Sequence, residues 1–478
     1  MRKAFKMVAA LGMVAAMAAP AMADVSLTGF YRARGYVTNT FDYGAGTILP
    51  SASTVPETST AAPTAKSKSY VDQRFRPKFT AGDENVKAVG FFEIDSQWGD
   101  SSATVGRNQG AALQGDSINL ETKNVYLWFK IPDTSVDFTV GLQNVTDSYA
   151  GVFMGAADAA GVVSNFKLEP VTFRLGYLIP FQPARDKSTS TTFYMAEAKF
   201  APTQDVKVGA NMYFVRDGGQ SYNPGAIAFG TPGVSLFDNA VIPGGTTKIY
   251  MPGVDFAVNA GVAKVSGFVF GQFGDRTYFS GAAKTKISAY AGDLRADLNA
   301  GPAKVFVEGL YVSGTNYDRG NDKFKGVVTM DDFKFNSGSS TYARTDMVFL
   351  FPAVDSINTG SGLAYDANNL GLGVIHLAAG ATMDVMPKTT AKLGVGYLAA
   401  AKKLSGNSNA AYFNFRNKSD MGTEVNATLN YNVTKGLDTA LTGAYVFLGS
   451  AYDKSKDGSA AMDPKNPYAV IAKANYAF

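Results

Sequence analysis

One histidine, His376, and no cysteine are found among 478 residues. That composition excludes a multi-histidine metal site, thiolate zinc, a cysteine nucleophile and the Cys-x-x-Cys-His attachment of c-type haem. No metal or cofactor is expected. The remaining chemistry lies in charged side chains spaced two apart. Arg32 and Arg34 form one such set, Arg74, Arg76 and Lys78 a second, and Glu93 and Asp95 a third. A spacing of two puts side chains on one face of an extended strand. Asp147 and Asp158 flank an apolar stretch further on. Cations facing carboxylates across a gap would set up a transverse field that orders polar solutes and rejects apolar ones. The same charges on adjacent strands would instead pair and hold the strands in register.

The elements that position these groups start after residue 23. Arg2, Lys3 and Lys6 precede an apolar stretch at 7–19, and Ala21-Met22-Ala23 is a small-x-small cleavage site. That is a secretory signal peptide at 1–23, cut between Ala23 and Asp24, and too short to span a bilayer as a helix. Cleavage takes three cations and no acid, so the formal charge falls from +4 to +1. The basic balance therefore gives no reason to expect a nucleic-acid partner. Charged residues make up only 18%, below the typical figure of about 25%.

From Val25 the chain alternates with period two. Val25, Leu27, Tyr31, Ala33 and Val37 share one face, and Ser26, Thr28, Arg32 and Arg34 share the other. This is the pattern of a strand with one apolar and one polar face. It returns along the whole chain, as in Val136, Phe138, Val140 and Leu142 against Asp137, Thr139 and Gln143. Eight tight turns, from 81–85 to 435–436, alternate strictly with nine long polar connections, among them 39–69, 144–161 and 315–361. Eight hairpins plus a first and a last strand make 18 strands. The short segment near 162–168 is the weakest, and its loss with one neighbour would leave 16. A soluble sandwich of this length would split into domains or expose edges. The expected fold is all-β, a single transmembrane antiparallel β-barrel over 24–478 with short turns on one rim and long loops on the other.

The last strand ends Asn475-Tyr476-Ala477-Phe478, with a terminal Phe and an aromatic two residues earlier. With the signal peptide, the hairpins and the stretch at 124–143, this resembles the general porin family of Gram-negative outer membranes over essentially the whole mature length. The resemblance implies a homotrimer of water-filled barrels in the outer membrane, in contact with lipid and lipopolysaccharide. It makes Tyr476 and Phe478 the signal read by the barrel-assembly machinery, and it folds the third long connection into the lumen. Eighteen strands is more than most general porins have, and the third connection lacks their Pro-Glu-Phe-Gly-Gly pattern.

On this reading the segment 144–161 narrows the channel and carries Asp147 and Asp158, while Val145, Val152, Phe153 and Met154 shelter against the wall. Packing of the same patch at a subunit interface is the alternative. The opposing wall carries Arg32, Arg34, Arg74, Arg76 and Lys78, with Glu93 and Asp95 beside them. The function expected is passive diffusion of small hydrophilic solutes and ions, mildly favouring anions, and no enzymatic activity is expected. The alternatives are a sugar- or anion-specific channel, a barrel sheathing an electron-transfer partner, and a hydrolase using His376. His376 falls on the polar face of a strand at 370–386 and is expected to face the lumen. Most of the 33 Phe and 24 Tyr are expected in the two interfacial girdles. The low-complexity stretch 51–69 is read as an external loop.

Overall fold

The computed structural model describes residues 24–39, 67–101, 110–115, 118–182, 185, 187–218, 245–278, 284–315, 323–333, 342, 344–351, 362–364, 366–369, 371–403, 418–452 and 465–478. The expected signal peptide, with Ala23, and most of 51–69 lie outside them.

Eighteen long strands follow in chain order: β1 (Asp24–Thr38), β2 (Lys68–Gly82), β3 (Val86–Gln97), β4 (Glu121–Lys130), β5 (Asp137–Val145) and β6 (Ala157–Leu168). Next come β7 (Val171–Phe181), β8 (Thr191–Phe200), β9 (Val206–Asp217), β10 (Gly245–Ala260), β11 (Ala263–Tyr278) and β12 (Lys284–Ala300). The last are β13 (Ala303–Val312), β14 (Val374–Met386), β15 (Thr389–Ala400), β16 (Asp420–Thr434), β17 (Leu437–Leu448) and β18 (Tyr468–Ala477). Each pairs antiparallel with its neighbour in sequence, and β1 pairs with β18 from Phe30↔Ala477 to Thr38↔Ala469. The sheet is thus a closed barrel of 18 strands, and the 12-residue β6 is a full member. A two-residue piece, Lys323–Phe324, adds on parallel to β12.

Burial is inverted relative to a soluble protein. Along β1, Val25 and Leu27 are 67% and 51% exposed, while Arg32 and Arg34 are 5% and 3% exposed. The parity persists around the wall: Val269 and Phe273 face out of β11 while Gln272 is buried, and Ile375 and Leu377 face out of β14 while His376 is buried. Only a lipid solvent makes that arrangement favourable. A lysine or arginine on the outer face would cost about 2–4 kcal/mol at mid-depth. Closure satisfies every ladder, as hydrocarbon demands.

Aromatic rows mark the two interfaces. Near the long connections, Tyr177, Tyr194, Phe214 and Tyr250 lie side by side across β7–β10, with ring centroids 5.1, 5.8 and 4.8 Å apart. Near the tight turns, Phe129 meets Phe138 at 5.3 Å and Phe166 meets Phe173 at 5.0 Å. At the seam, Phe478 and Gly29 exchange two backbone hydrogen bonds of 3.0 Å, and the Phe478 ring stacks on Phe75 at 6.0 Å and lies 6.1 Å from Tyr476.

Candidate functional site: a lumen narrowed by two inward segments

Two connections on the rim of long loops fold inside the wall. The shorter, 146–156 between β5 and β6, is built around Asp147. Its Oδ1 accepts the N–H groups of Tyr149 (2.7 Å) and Gly151 (2.9 Å), and its Oδ2 those of Phe153 (2.8 Å) and Met154 (2.7 Å). One side chain thereby shapes the whole turn and turns its apolar residues toward the wall. Tyr149 stacks on Phe270 at 4.4 Å and Phe153 lies 5.3 Å from Phe193, both wall residues on the inner face. Burial pushes the Asp147 carboxyl up to about 6, against the pull of its four N–H donors.

The longer segment lies within the connection between β13 and β14. Its described parts, 323–333, 342, 344–351, 362–364, 366–369 and 371–373, bury Val327, Val328, Met330, Tyr342, Phe349, Leu350, Leu363 and Leu372. Inner-face side chains of four strands hold it. Gln272 on β11 clasps Val328 both ways, Nε2 donating to the carbonyl at 2.7 Å and Oε1 accepting the N–H at 2.8 Å. Glu424 on β16 accepts the N–H groups of Val348 (2.7 Å), Phe349 (2.8 Å) and Leu350 (3.1 Å). Tyr342 Oη lies 2.5 Å from Asp293 on β12 and 2.8 Å from Glu308 on β13. Arg344 pairs with Asp293 and donates to Ser266 Oγ on β11 at 2.7 Å. The two segments also bond to each other, Met330 N–H donating to the Phe153 carbonyl at 3.0 Å. The longer segment sits on β15 over Gly396, where a Cβ would stand 2.6 Å from Met347 Sδ and 2.9 Å from Leu350 Cδ1.

The expected wall of arginines is present, and three of its charges, Arg34, Arg74 and Arg76, are matched locally. Arg34 sits opposite Asp72 and bonds it at 3.0 and 2.7 Å. Arg74 sits opposite Asp95 and bonds it twice at 2.6 Å, and Arg76 pairs with Glu93. Arg32 is buried on the same face, opposite Arg74, and Lys78 is half-buried further along β2. Cross-strand pairing is what forms at Arg34, Arg74 and Arg76.

The expected acidic partners on the connection do not oppose it. The Asp147 carboxylate is consumed by its own turn. Asp158 is not on the connection at all: it stands in β6, on the outward parity of Val162 and Leu168, bonded to Lys123 at 2.8 Å and Asn124 at 2.8 Å. The reason is that β6 starts at Ala157, five residues before the segment at 162–168 that the alternation marks most clearly. Asp24 opens β1, opposite Gly82.

His376 is buried on the inner face, and its Nδ1–H donates to the Tyr397 carbonyl at 3.0 Å. Its ring meets Phe351 and Tyr342 edge-on at 5.2 and 6.4 Å. Neither ring nitrogen bonds a Ser hydroxyl or a carboxylate among the described residues, so the pairing that a general base requires is missing.

Below the inward segments, toward the tight turns, lies a lumenal cavity of about 670 Å³. Its lining includes Ser148, Lys199, Lys207, Asp255, Lys264 and Arg344, from both inward segments and from β8–β11. Sequence reading singled out none of these six. The signal was available, since each of the three lysines lies on the inward parity of its strand.

Barrel and inward anchors together define a class: an 18-stranded transmembrane barrel whose lumen is narrowed by segments folded in from the long-loop rim. Among solved structures the chain is similar to OccK8 (OprE) of Pseudomonas aeruginosa, with a TM-score of 0.52 at 10% identity over 95% of this chain and 98% of that one. It is similar also to OpdL of the same species, with a TM-score of 0.52 at 10% identity over 95% and 99% of the two chains. At that identity the likeness is one of fold. No protein-family profile matches the sequence, and no curated protein does.

Proposed function

We propose that this protein is a narrow outer-membrane channel for passive passage of small hydrophilic solutes. It would be exported by its N-terminal signal and folded into the Gram-negative outer membrane as a homotrimer. The observation that carries this reading is the combination of an apolar outer wall and a charged inner wall in one closed 18-stranded sheet. A barrel of that size encloses an aqueous lumen, and function follows from what narrows it and what lines it.

The two anchored segments favour a selective channel over a wide general pore. The longer one is held to β11, β12, β13 and β16, so passage is directed along β6–β11, where the cavity lies. Liposome swelling with the purified protein tests the reading. Small polar solutes should enter at rates that fall steeply with size, and no swelling with any solute would refute it. Cross-linking in detergent should give a ladder ending at three chains.

A further inference from the structure

We infer that Tyr149, Asn211 and Glu197 form a binding site for a monovalent metal cation, sodium or potassium, between the shorter inward segment and the wall. The site goes beyond the channel reading, since it concerns what pins that segment, whatever passes beside it.

Two oxygens mark the place. Tyr149 Oη and Asn211 Oδ1 are closed off from water, in residues 0% and 5% exposed, and neither bonds any described residue. A buried oxygen left without a partner is costly, and these two flank one glycine. Asn211 on β9 stands opposite Gly253 on β10. Tyr149 Oη sits over that glycine, 2.5 Å from where a Cβ would be. Hydroxyl and amide do not satisfy each other across it. The amide's orientation is fixed: Nδ2 donates to Asp255 at 2.7 Å, which turns Oδ1 the other way.

The surroundings are acidic. Glu197 on β8 stands opposite Asn211 on the same buried face. Its Oε1 accepts from Tyr213 Oη at 2.5 Å, and its Oε2 accepts nothing among the described residues. The charges that bear on the Tyr149 hydroxyl are the carboxylates of Asp147, Glu197 and Asp255, with no cation among them. Lys199 is spent on Asp255 and Ser148 Oγ, and Arg174 donates to the Thr146 carbonyl, 3.6 Å from Glu197. Burial and the three acids keep the Tyr149 hydroxyl protonated, so it offers lone pairs. A phenol, an amide and a carboxylate oxygen in such a field suit a hard cation. Three protein oxygens are few for calcium, which takes six to eight, and one free carboxylate oxygen suits a single charge. A bound cation would tie β8 and β9 to Tyr149, in the turn that Asp147 shapes. A bridging water is the neutral alternative, and it would be indifferent to the salt present.

Hydrogen–deuterium exchange of the full-length protein in detergent tests this, read on peptides covering 146–156. Samples are compared in sodium, potassium and tetramethylammonium chloride at one concentration, with a chelator of divalent ions throughout. Tetramethylammonium keeps the ionic strength but is too large to enter. Exchange in sodium or potassium should be about fivefold slower, as expected at about four times the dissociation constant of the cation. Protection by one metal alone would identify the ion. Y149F keeps the ring on Phe270 and loses only the oxygen, and E197Q loses the charge while keeping an acceptor for Tyr213. Both variants should exchange at one rate in all three salts, with the heat-dependent gel shift of a folded barrel retained. Equal rates in the three salts for the wild type, as a bridging water would give, would overturn the inference. So would protection that survives in Y149F. The channel reading is untouched by either result.

Discussion

Lys199 and Asp255 bond at 2.5 Å across a strand to which neither belongs: Lys199 is on β8, Asp255 on β10, and the bridge passes over Gly209 of β9. A Cβ at position 209 would stand 2.2 Å from Asp255 Oδ2 and 2.8 Å from Lys199 Nζ. Glycine is thus a condition of the ion pair. Asn211, two residues along β9, donates to the same Asp255 oxygen at 2.7 Å. The pair neutralises one lysine of the lumen and leaves the others to set its character.

Separating that pair should change selectivity with little change in stability. The partners are partly exposed, so the bridge itself contributes about 1 kcal/mol or less. D255N should raise anion preference by removing the balancing charge, and K199Q should lower it. G209V should leave the charge count unchanged while releasing both side chains into the lumen. Reversal potentials of the three variants, compared at one salt concentration, check the order.

Glu424 holds the longer inward segment by three backbone N–H groups at 2.7, 2.8 and 3.1 Å. E424A would leave those donors without a partner, at about 1–3 kcal/mol for each that stays buried. The barrel should persist, because the strand ladders are untouched, while the segment loosens. Limited proteolysis should then cut within 323–351 at least tenfold faster than in the wild type, with the heat-dependent gel shift of a folded barrel retained.

The arginine wall supplies a stability test. Arg74 and Asp95 are both buried and doubly bonded at 2.6 Å. R74A leaves an uncompensated carboxylate and should cost about 3–5 kcal/mol, while R74A/D95A should recover much of that loss. Urea unfolding in detergent measures both. A double variant as unstable as the single one would contradict the pairing.

Acid should tighten the inward segments. Asp147 is raised from 3.8 to about 6 and Asp332 from 3.8 to about 7, in each case chiefly by burial. A carboxyl whose seated value lies above its free value favours the seated state most when both forms are protonated. That contribution is full below about 4 and is lost as pH rises through 6 for Asp147 and 7 for Asp332. Current fluctuations should therefore be rarer at pH 5 than at pH 8. D332N, which stays neutral, should flatten the upper part of that dependence.

What could be read in the sequence follows from how each feature is encoded. Strands were legible because period two needs no partner to be visible: β1 and β5 declare both faces within a few residues. The tight turns and their alternation with long connections were legible for the same local reason. The main narrowing segment was not. Residues 347–351 are an apolar run inside a connection read as polar, and nothing in their spacing says that Glu424, more than 70 residues away, will hold them. Asp72 shares the parity of Arg74 and Arg76 but was not among the charges picked out, so the partner of Arg34 was missing and the cations looked unmatched. Lys199, Lys207 and Lys264 each sit singly on a strand, and only the closed register brings them together.

A lumen that conducts and is narrowed by the segment seated on Gly396 must widen when that seat is filled. Single-channel conductance of the purified full-length protein in planar bilayers, compared with that of G396L, tests it most directly. The wild type should insert in discrete conducting steps. G396L, whose side chain would occupy the place of Met347 and Leu350, should give larger steps at the same salt. A wild type that inserts without conducting, or a G396L channel of unchanged step size, would contradict the account.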